Sequence, residues 1–240
     1  MTQTIIDKKD YLTMNKEGLE FVDIAITTTN IDAKNLDDVN NAFKDVFTLK
    51  NLSKNKQIHS NIVNKVDKDN IGQIIDGDAI ITNEKNVPLL ILTADCVPVV
   101  LADKVNKAVG LVHAGWRGTY GKICSETLQS MKENYNTNPE DVVAIIGPSI
   151  GKCCYEVSYD LVEKFSALLP NADEKIYEIR DEKYYLDLWE INTQILKEFG
   201  VLKSNIINMN ICTSCNCDRF FSYRKHEKTP KRIGTFIEIK

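Results

Sequence analysis

Long apolar runs are missing from this chain of 240 residues. No stretch approaches the roughly 18 consecutive apolar residues that a transmembrane helix needs. Residues 1–30 alternate apolar and polar side chains, so they lack the unbroken apolar core of a secretory signal peptide. We therefore expect a protein without membrane segments that works in the cytoplasm.

Blocks of basic residues are missing as well. The net charge is −4, and lysines are interspersed with acidic residues throughout, which argues against binding to nucleic acid. The sequence also has no internal repeat and no linker rich in Pro, Gly or Ser. A chain of this length can bury roughly 70% of its unfolded surface in one core. We therefore expect a single domain over residues 1–240, as a monomer or a weak homodimer.

Histidine is scarce, and cysteine is present in an odd number. The three histidines stand at positions 59, 113 and 226, and there are seven cysteines. An odd cysteine count without an export signal is typical of reduced, intracellular thiols. The thiols are therefore candidates for metal ligands, nucleophiles or core residues before disulfides.

Short runs rich in Val, Ile and Leu dominate the middle of the chain, and turn residues bound each of them. This pattern is typical of strands buried on both faces. Strands are predicted at 11–12, 20–27, 89–93, 97–102, 107–113, 142–146, 206–211 and 232–239. Helices are predicted at 36–48, 122–135, 158–169 and 187–200. The irregular order of the two types indicates an α+β or mixed α/β domain, not a regular βαβ repeat.

Three residues in this framework offer metal-ligand chemistry. His113 ends an apolar strand and precedes a turn of small residues, Cys96 lies between two predicted strands, and His59 lies in the polar stretch before them. If these strand ends meet at one rim of the sheet, two imidazoles and one thiolate converge. That donor set suits zinc and leaves a fourth position for water or substrate. The alternative is a buried cysteine and core histidines, because the spacings match no short motif.

Arginine is used sparingly, with five residues against 25 lysines. Arg117 follows the strand of His113, whereas Arg219 and Arg224 flank an aromatic segment, Phe220–Tyr223, that can stack on a planar base. Where lysine is so favoured, a retained arginine suggests a need for its planar fork, which binds phosphate or carboxylate with two hydrogen bonds. Ordinary surface or packing arginines are the alternative.

Five segments together resemble the laccase-domain (YfiH-type) family. They run in the family's order through residues 55–240 and are Thr93-Ala94-Asp95-Cys96-Val97-Pro98, Val112-His113-Ala114-Gly115-Trp116-Arg117-Gly118, Gly147-Pro148-Ser149-Ile150-Gly151, Cys153-Cys154-Tyr155-Glu156-Val157 and Phe220-Phe221-Ser222-Tyr223-Arg224. The resemblance implies a YfiH-like fold, namely a single α+β domain with mixed β-sheets flanked by helices. It also implies a metal in a surface pocket, with His59, Cys96 and His113 as the ligands.

The resemblance further implies a purine nucleoside enzyme. The family's activity is phosphorolysis of adenosine, inosine and methylthioadenosine, with adenosine deamination as a side activity. Purine nucleoside and phosphate are then the small-molecule partners. Cys96, His113 and Arg117 become the catalytic candidates, and the candidates for substrate binding are Phe221, Tyr223 and Arg224.

The family has also carried the label of a multicopper polyphenol oxidase. Such an oxidase needs several copper sites and many imidazole ligands, which three histidines cannot supply. We therefore expect zinc as the cofactor, with copper able to occupy the same ligands in vitro.

The cysteines near the C-terminus depart from the family's pattern, which has one cysteine before the aromatic segment. This chain has Cys212, Cys215 and Cys217 there. Together with His226, three thiols would suit a closed structural zinc site, although the Cys-x-Cys spacing is tight for one ion. A redox pair or an incidental cluster is the other interpretation.

Two other functions compete with the nucleoside enzyme. Cys96 and His113 could form the thiolate–imidazole pair of a cysteine hydrolase or deamidase. A bound zinc would argue against this, because a zinc-ligated thiolate is blocked as a nucleophile. The remaining alternative is a metal-binding regulator without catalytic activity, which turnover of adenosine would exclude.

Overall fold

The computed structural model describes residues 4–170 and 175–240. In these ranges the strands are β1 (Thr4–Asp7), β2 (Tyr11–Asn15), β3 (Val22–Thr27), β4 (Ser53–Lys54), β5 (Val63–Lys65), β6 (Ala79–Thr82), β7 (Leu89–Thr93), β8 (Val97–Asp103), β9 (Ala108–Ala114), β10 (Val142–Ile146), β11 (Glu156–Val157), β12 (Tyr177–Arg180), β13 (Lys183–Leu186), β14 (Ile206–Asn208) and β15 (Ile233–Ile239). The α-helices are α1 (Leu36–Phe43), α2 (Trp116–Tyr120), α3 (Ile123–Tyr135), α4 (Tyr159–Leu168) and α5 (Leu188–Phe199).

The strands form two six-stranded sheets and a small third one. The first sheet has the order β1-β2-β3-β15-β7-β4, and the central sheet has the order β14-β10-β8-β9-β6-β5. The third sheet has the order β11-β13-β12. Most neighbours are antiparallel, whereas β4–β7, β5–β6 and β10–β14 are parallel. The predicted α+β fold with mixed sheets flanked by helices is therefore confirmed.

The side chains of the central strands point alternately into two different hydrophobic cores. In β8, Val97, Val99 and Leu101 pack with residues of α3, α4 and α5. Val100 and Ala102 point the other way and pack against the first sheet. Because successive side chains leave opposite faces of a strand, a strand apolar at every position must be covered on both sides, as its composition predicts.

Helix α1 covers the outer face of the first sheet. Phe43 packs with Phe47 and Phe236 in a third, smaller core. The helix was predicted to run to residue 48, but it ends at Phe43, where the backbone N–H groups of Val46 and Phe47 both donate to the Phe43 carbonyl. This turn brings the ring of Phe47 onto Phe236, with a centroid separation of 5.5 Å.

The strand predicted at 206–211 is also shorter than expected. β14 pairs with β10 only from Ile206 to Asn208, and Asn210 then adopts a left-handed conformation with φ 55°. The chain therefore turns, and Cys212 forms a parallel bridge with Ser149. This turn carries the cysteine-rich segment to the edge of the central sheet.

Among the described residues, no helix is long and apolar enough to span a membrane.

Candidate metal centre and adjoining cavity

The hairpin of β8 and β9 brings Cys96 and His113 together. In its register, Val97 pairs with Ala114 and Pro98 pairs with His113. Cys96, directly before β8, therefore lies beside the end of β9. His59 approaches from the loop between β4 and β5, and the ligand atoms of all three residues lie within 4.8 Å of one another.

Asp78 holds the two histidines in place. Its Oδ1 accepts hydrogen bonds from Nδ1 of His113 at 2.8 Å and from the backbone N–H of His59 at 2.9 Å. Its Oδ2 accepts from the backbone and the hydroxyl of Ser60, at 2.7 and 2.8 Å, and from the N–H of Ile58. Because a carboxylate only accepts hydrogen bonds, Nδ1 of His113 carries the proton and Nε2 is left free for a metal.

The electrostatics of the site favour an anionic sulfur. Burial alone would raise the pKa of Cys96, but hydrogen bonds and charge interactions with His113 and His59 outweigh it and lower the pKa to about 6. Burial likewise opposes the charged form of His113, yet Asp78 and Cys96 raise its pKa to about 9. The pKa of Asp78 lies well below its usual range despite burial, because of its bonds to His113 and Ser60. Zinc binds thiolate, so the lowered pKa prepares Cys96 as a ligand, whereas the imidazolium form of His113 gives up its Nε2 proton when it binds a metal.

Close packing around the three side chains requires glycine. A Cβ atom at Gly115 would lie 3.2 Å from Sγ of Cys96 and 3.3 Å from Cδ2 of His59. At Gly118, in α2, a Cβ would lie 2.9 Å from the carbonyl oxygen of Ser60. His59 itself has a positive φ of 60°. The small-residue turn after β9 therefore allows the His59 loop to lie against the hairpin.

Asp95 connects the Cys96 loop to three parts of the chain that are distant in sequence. Its Oδ1 accepts from the hydroxyl of Thr213 at 2.7 Å, and its Oδ2 accepts from the backbone N–H of Arg224 at 2.6 Å. Its carbonyl accepts from the N–H of Ile150 at 2.9 Å. The loop that carries Cys96 is therefore fixed to two other segments of the family resemblance, 147–151 and 220–224, and to Thr213.

A cavity of about 840 Å³ adjoins the three-ligand cluster. Four of its lining residues are basic and none is acidic, although the chain as a whole is acidic. Thr93 also lines it, and the Thr93 hydroxyl is buried without a hydrogen-bond partner in the described structure. The lining residues are Lys34, Lys54, Asn55, Lys56, Gln57, His59, Ile74, Leu92, Thr93, Ala94, Cys96, His113, Tyr223 and Arg232.

The two predicted aromatic contacts lie in different places. Tyr223 lines the cavity and is 45% exposed to solvent. Phe221 is only 7% exposed and packs in the core between the two large sheets. Only Tyr223 of this pair therefore offers its ring to a molecule in the cavity.

The predicted arginines lie outside the cavity lining, around Tyr155. The guanidinium of Arg117 lies 4.3 Å from the ring centre of Trp116. That of Arg224 lies 5.6 Å from the ring centre of Tyr155 and donates to the carbonyl of Glu156. Burial raises the pKa of Tyr155 to about 12, assisted by the charge of Cys96 and opposed by Arg224 and Arg117. The charges of both arginines and of the candidate ligand Cys96 therefore all act on the Tyr155 hydroxyl.

Sequence reasoning missed several residues of the site. Asp78 and Asp95 are buried anchors, and Arg232 and three lysines form the basic wall. Asp95 and Arg232 could have been found, because one lies inside the Cys96 segment and the other is among five arginines. Asp78 has no such distinguishing feature in the sequence, because it follows Gly77 and a Gly-Asp pair is typical of an exposed turn.

Comparisons with known proteins show the family of this chain. Residues 25–240 match the family model described as multi-copper polyphenol oxidoreductase laccase. The chain is 34% identical over 228 residues to a purine nucleoside phosphorylase of Clostridium acetobutylicum, covering 95% of this chain and 90% of that protein. It is 36% identical over 192 residues to the purine nucleoside phosphorylase YlmD of Bacillus subtilis, covering 77% and 69% of the two chains.

Solved structures show the same fold. The crystal structure of YlmD from Geobacillus stearothermophilus superimposes with a TM-score of 0.90 at 28% identity, over 98% of both chains. The YfiH protein of Bacillus licheniformis gives a TM-score of 0.88 at 27% identity, over 98% of this chain and 99% of that one. Sequence and fold thus lead to one conclusion: this chain belongs to the multi-copper polyphenol oxidoreductase laccase family.

Proposed function

We propose that this chain is a zinc-dependent purine nucleoside phosphorylase. Its substrates are adenosine, inosine and methylthioadenosine, and its products are the free base and ribose 1-phosphate or the methylthio analogue. Adenosine deamination is a side activity. The observation that carries the proposal is the basic cavity beside His59, Cys96 and His113. The names of the relatives support the same reaction.

The three ligand candidates fit zinc by their chemistry. Two imidazoles and one thiolate are a common zinc donor set, and a three-residue set leaves one coordination position open. Asp78 supplies the carboxylate behind His113 that such sites usually have. When bound, zinc supplies Lewis-acid chemistry to an oxygen of substrate or water.

The basic wall of the cavity holds the phosphate. Lys54, Lys56 and Arg232 concentrate an anion in the cavity, while Tyr223 stacks against the purine ring. An oxygen of phosphate forms a bond to C1′ of the ribose as the bond from C1′ to the purine nitrogen breaks. The bonding electrons go to the purine, which takes up a proton. Arg117 and Arg224, which lie outside the cavity lining, are further candidates for binding the phosphate.

A cysteine hydrolase remains the second candidate, because one observation favours it. Interaction with His113 lowers the pKa of Cys96 to about 6, as a nucleophilic thiolate requires. The two candidates differ in metal content, since a nucleophilic thiolate must be free of zinc.

A panel of nucleosides assayed with and without phosphate, with metal content measured on the same preparation, tests the proposal. We expect one zinc at the three-ligand site and base release that requires phosphate. Base release at the same rate without phosphate would indicate a hydrolase. A metal-free preparation with full activity, inhibited by thiol alkylation, would favour the Cys96 nucleophile.

A further inference from the structure

Four cysteines outside the proposed active site converge on one point. Sγ of Cys215 lies 3.4 Å from Sγ of Cys153 and 3.4 Å from Sγ of Cys154. With Cys212, all four sulfurs lie within 4.8 Å of one another. We propose that these four thiolates bind a second zinc ion in a closed, structural site.

The spacing of the sulfurs fits this ion. Zn–S bonds of about 2.3 Å in a tetrahedron place sulfurs about 3.8 Å apart, which lies within the observed range of separations. A disulfide would need about 2.05 Å. Four thiolates are also a standard donor set of structural zinc sites, and Cys212 and Cys215 have the Cys-x-x-Cys spacing common in them.

The backbone around Cys212 is organised for a thiolate. The N–H of Gly151 donates to Sγ of Cys212 at 3.3 Å, and hydrogen bonds to sulfur are the usual support of a metal-bound thiolate. Main-chain hydrogen bonds join the two cysteine segments, from Ser149 to the carbonyl of Ile211 and from Thr213 to the carbonyl of Ser149. These main-chain hydrogen bonds hold the two cysteine segments side by side.

The nearby positive charge and the solvent exposure of the cysteine cluster also suit a zinc site. Zinc with four thiolates carries a net double negative charge. Arg180 places its guanidinium beside the segment, where Nη2 donates to the carbonyls of Lys152 and Cys153. Cys153 and Cys215 are exposed and Cys212 is buried, so an ion can enter from solvent and be held by a buried ligand.

The site would fix the loop that carries Cys96. Thr213 lies between Cys212 and Cys215 and donates its hydroxyl to Asp95. Ile150, on the segment that leads to Cys153, donates to the carbonyl of Asp95. A metal that joins these two segments therefore also constrains the residue before Cys96, without contacting the proposed substrate.

The zinc site considered from the C-terminal sequence also included Cys217 and His226, and these two residues lie outside this cluster. Cys217 and His226 are not among the converging ligand atoms. Nδ1 of His226 accepts a hydrogen bond from the backbone N–H of Ser222. The sequence thus indicated two of the four ligands, and Cys217 provides a matched control on the same turn.

Counting zinc on the reduced, full-length protein tests this inference. We expect two zinc ions per wild-type chain and one in the double variant Cys153→Ser/Cys215→Ser. Cys217→Ser should retain two. The double variant His59→Ala/His113→Ala should retain one, whether or not the protein cleaves nucleosides. A reduced His59→Ala/His113→Ala protein that binds no zinc, or loss of the second zinc from Cys217→Ser, would overturn the assignment.

Alkylation of the wild type gives a second measurement that needs no variant to fold. Zinc should slow labelling of Cys153 and Cys215 by iodoacetamide at least tenfold relative to chelator-treated protein, and should leave the labelling rate of Cys217 unchanged. Equal labelling of Cys153 and Cys215 with and without zinc would contradict the proposal.

Discussion

Asp78 is a single buried carboxylate on which the geometry of the candidate metal centre depends. It receives hydrogen bonds from the imidazole of His113 and from the backbone of residues 58, 59 and 60. It is thus a positioning residue for both histidine ligands. Sequence reasoning gave no reason to select it, because its role depends on a loop that folds back from twenty residues earlier.

Replacing Asp78 by Asn should weaken zinc binding by roughly 10- to 100-fold, as for other residues that orient metal ligands. The amide presents N–H groups where the structure needs an acceptor. Competition with a chromophoric chelator measures the affinity. Asp76→Asn is the matched control, since Asp76 is exposed and its carboxylate forms a surface ion pair with Lys56 at 3.4 Å. Unchanged zinc affinity in Asp78→Asn would show that the imidazole is held by other contacts.

The two arginines near Tyr155 allow a test of phosphate binding. Arg117→Lys or Arg224→Lys keeps the charge but loses the planar fork. Phosphorolysis should fall about tenfold or more, because a charge-assisted hydrogen bond contributes about 1.5–3 kcal/mol. Deamination of adenosine uses water and should fall much less. The measurement is base release and inosine formation on the same proteins.

Arg219→Lys is the control for that experiment, because Arg219 forms an ion pair with Asp7 away from the cavity. Parallel loss of both activities would mean that the arginine shapes the site in general. If neither activity changes, the phosphate is held by Arg232 and the lysines of the cavity instead.

At the scale of elements, apolar composition alone predicted four buried strands, β7, β8, β9 and β10. β7 and β10 have the predicted bounds, β8 ends one residue later, and β9 begins and ends one residue later. These strands are buried on both faces, so every residue contributes to the pattern. The buried strand β6 was not predicted. The sheet of β11, β12 and β13 was missed, because its strands are short, only partly buried and have no apolar run.

The capping of α5 was also readable from sequence. Asp187 accepts a hydrogen bond from the N–H of Glu190, and Gly200 ends the helix with φ 113°. The convergence of His59 with the hairpin was not derivable from such local patterns. It depends on contacts between elements far apart in the chain, and only the family resemblance indicated it.

Helix α1 should contribute to stability without affecting the metal centre. Phe43 is fully buried and its ring lies 5.1 Å from those of Tyr11 and Phe236. Phe43→Ala should lower the free energy of unfolding by about 3–5 kcal/mol, as measured by urea denaturation. Leu36→Ala, at a position that is 50% exposed, should change it by less than about 0.5 kcal/mol. Loss of zinc from folded Phe43→Ala protein would show unexpected coupling between α1 and the site.

At the scale of the whole molecule, the number of histidines limits which metal centres the protein can form. The family model carries the description of a multicopper oxidoreductase, but the chain has three histidines. In the described structure only one cluster of potential ligands contains histidine. A multicopper centre needs far more imidazoles than this.

Zinc-loaded, copper-free protein should therefore show no phenol oxidation above the background rate. Excess Cu²⁺ should displace zinc from His59, Cys96 and His113, because the affinity order favours Cu²⁺. Oxygen uptake with a phenolic substrate, measured with metal analysis of the same sample, checks this. Sustained oxidation without copper would show that the protein performs redox chemistry by another route.

The most direct test of the proposed function is a zinc titration of metal-free protein, followed by phosphate-dependent base release. Activity should rise with zinc and reach a plateau when the three-ligand site is full. His59→Ala, Cys96→Ala and His113→Ala should each lose that zinc and stay inactive, while remaining folded. Full phosphorolysis by metal-free protein, or by a His113→Ala protein that holds no zinc at this site, would contradict the proposal that nucleoside cleavage takes place at the zinc centre.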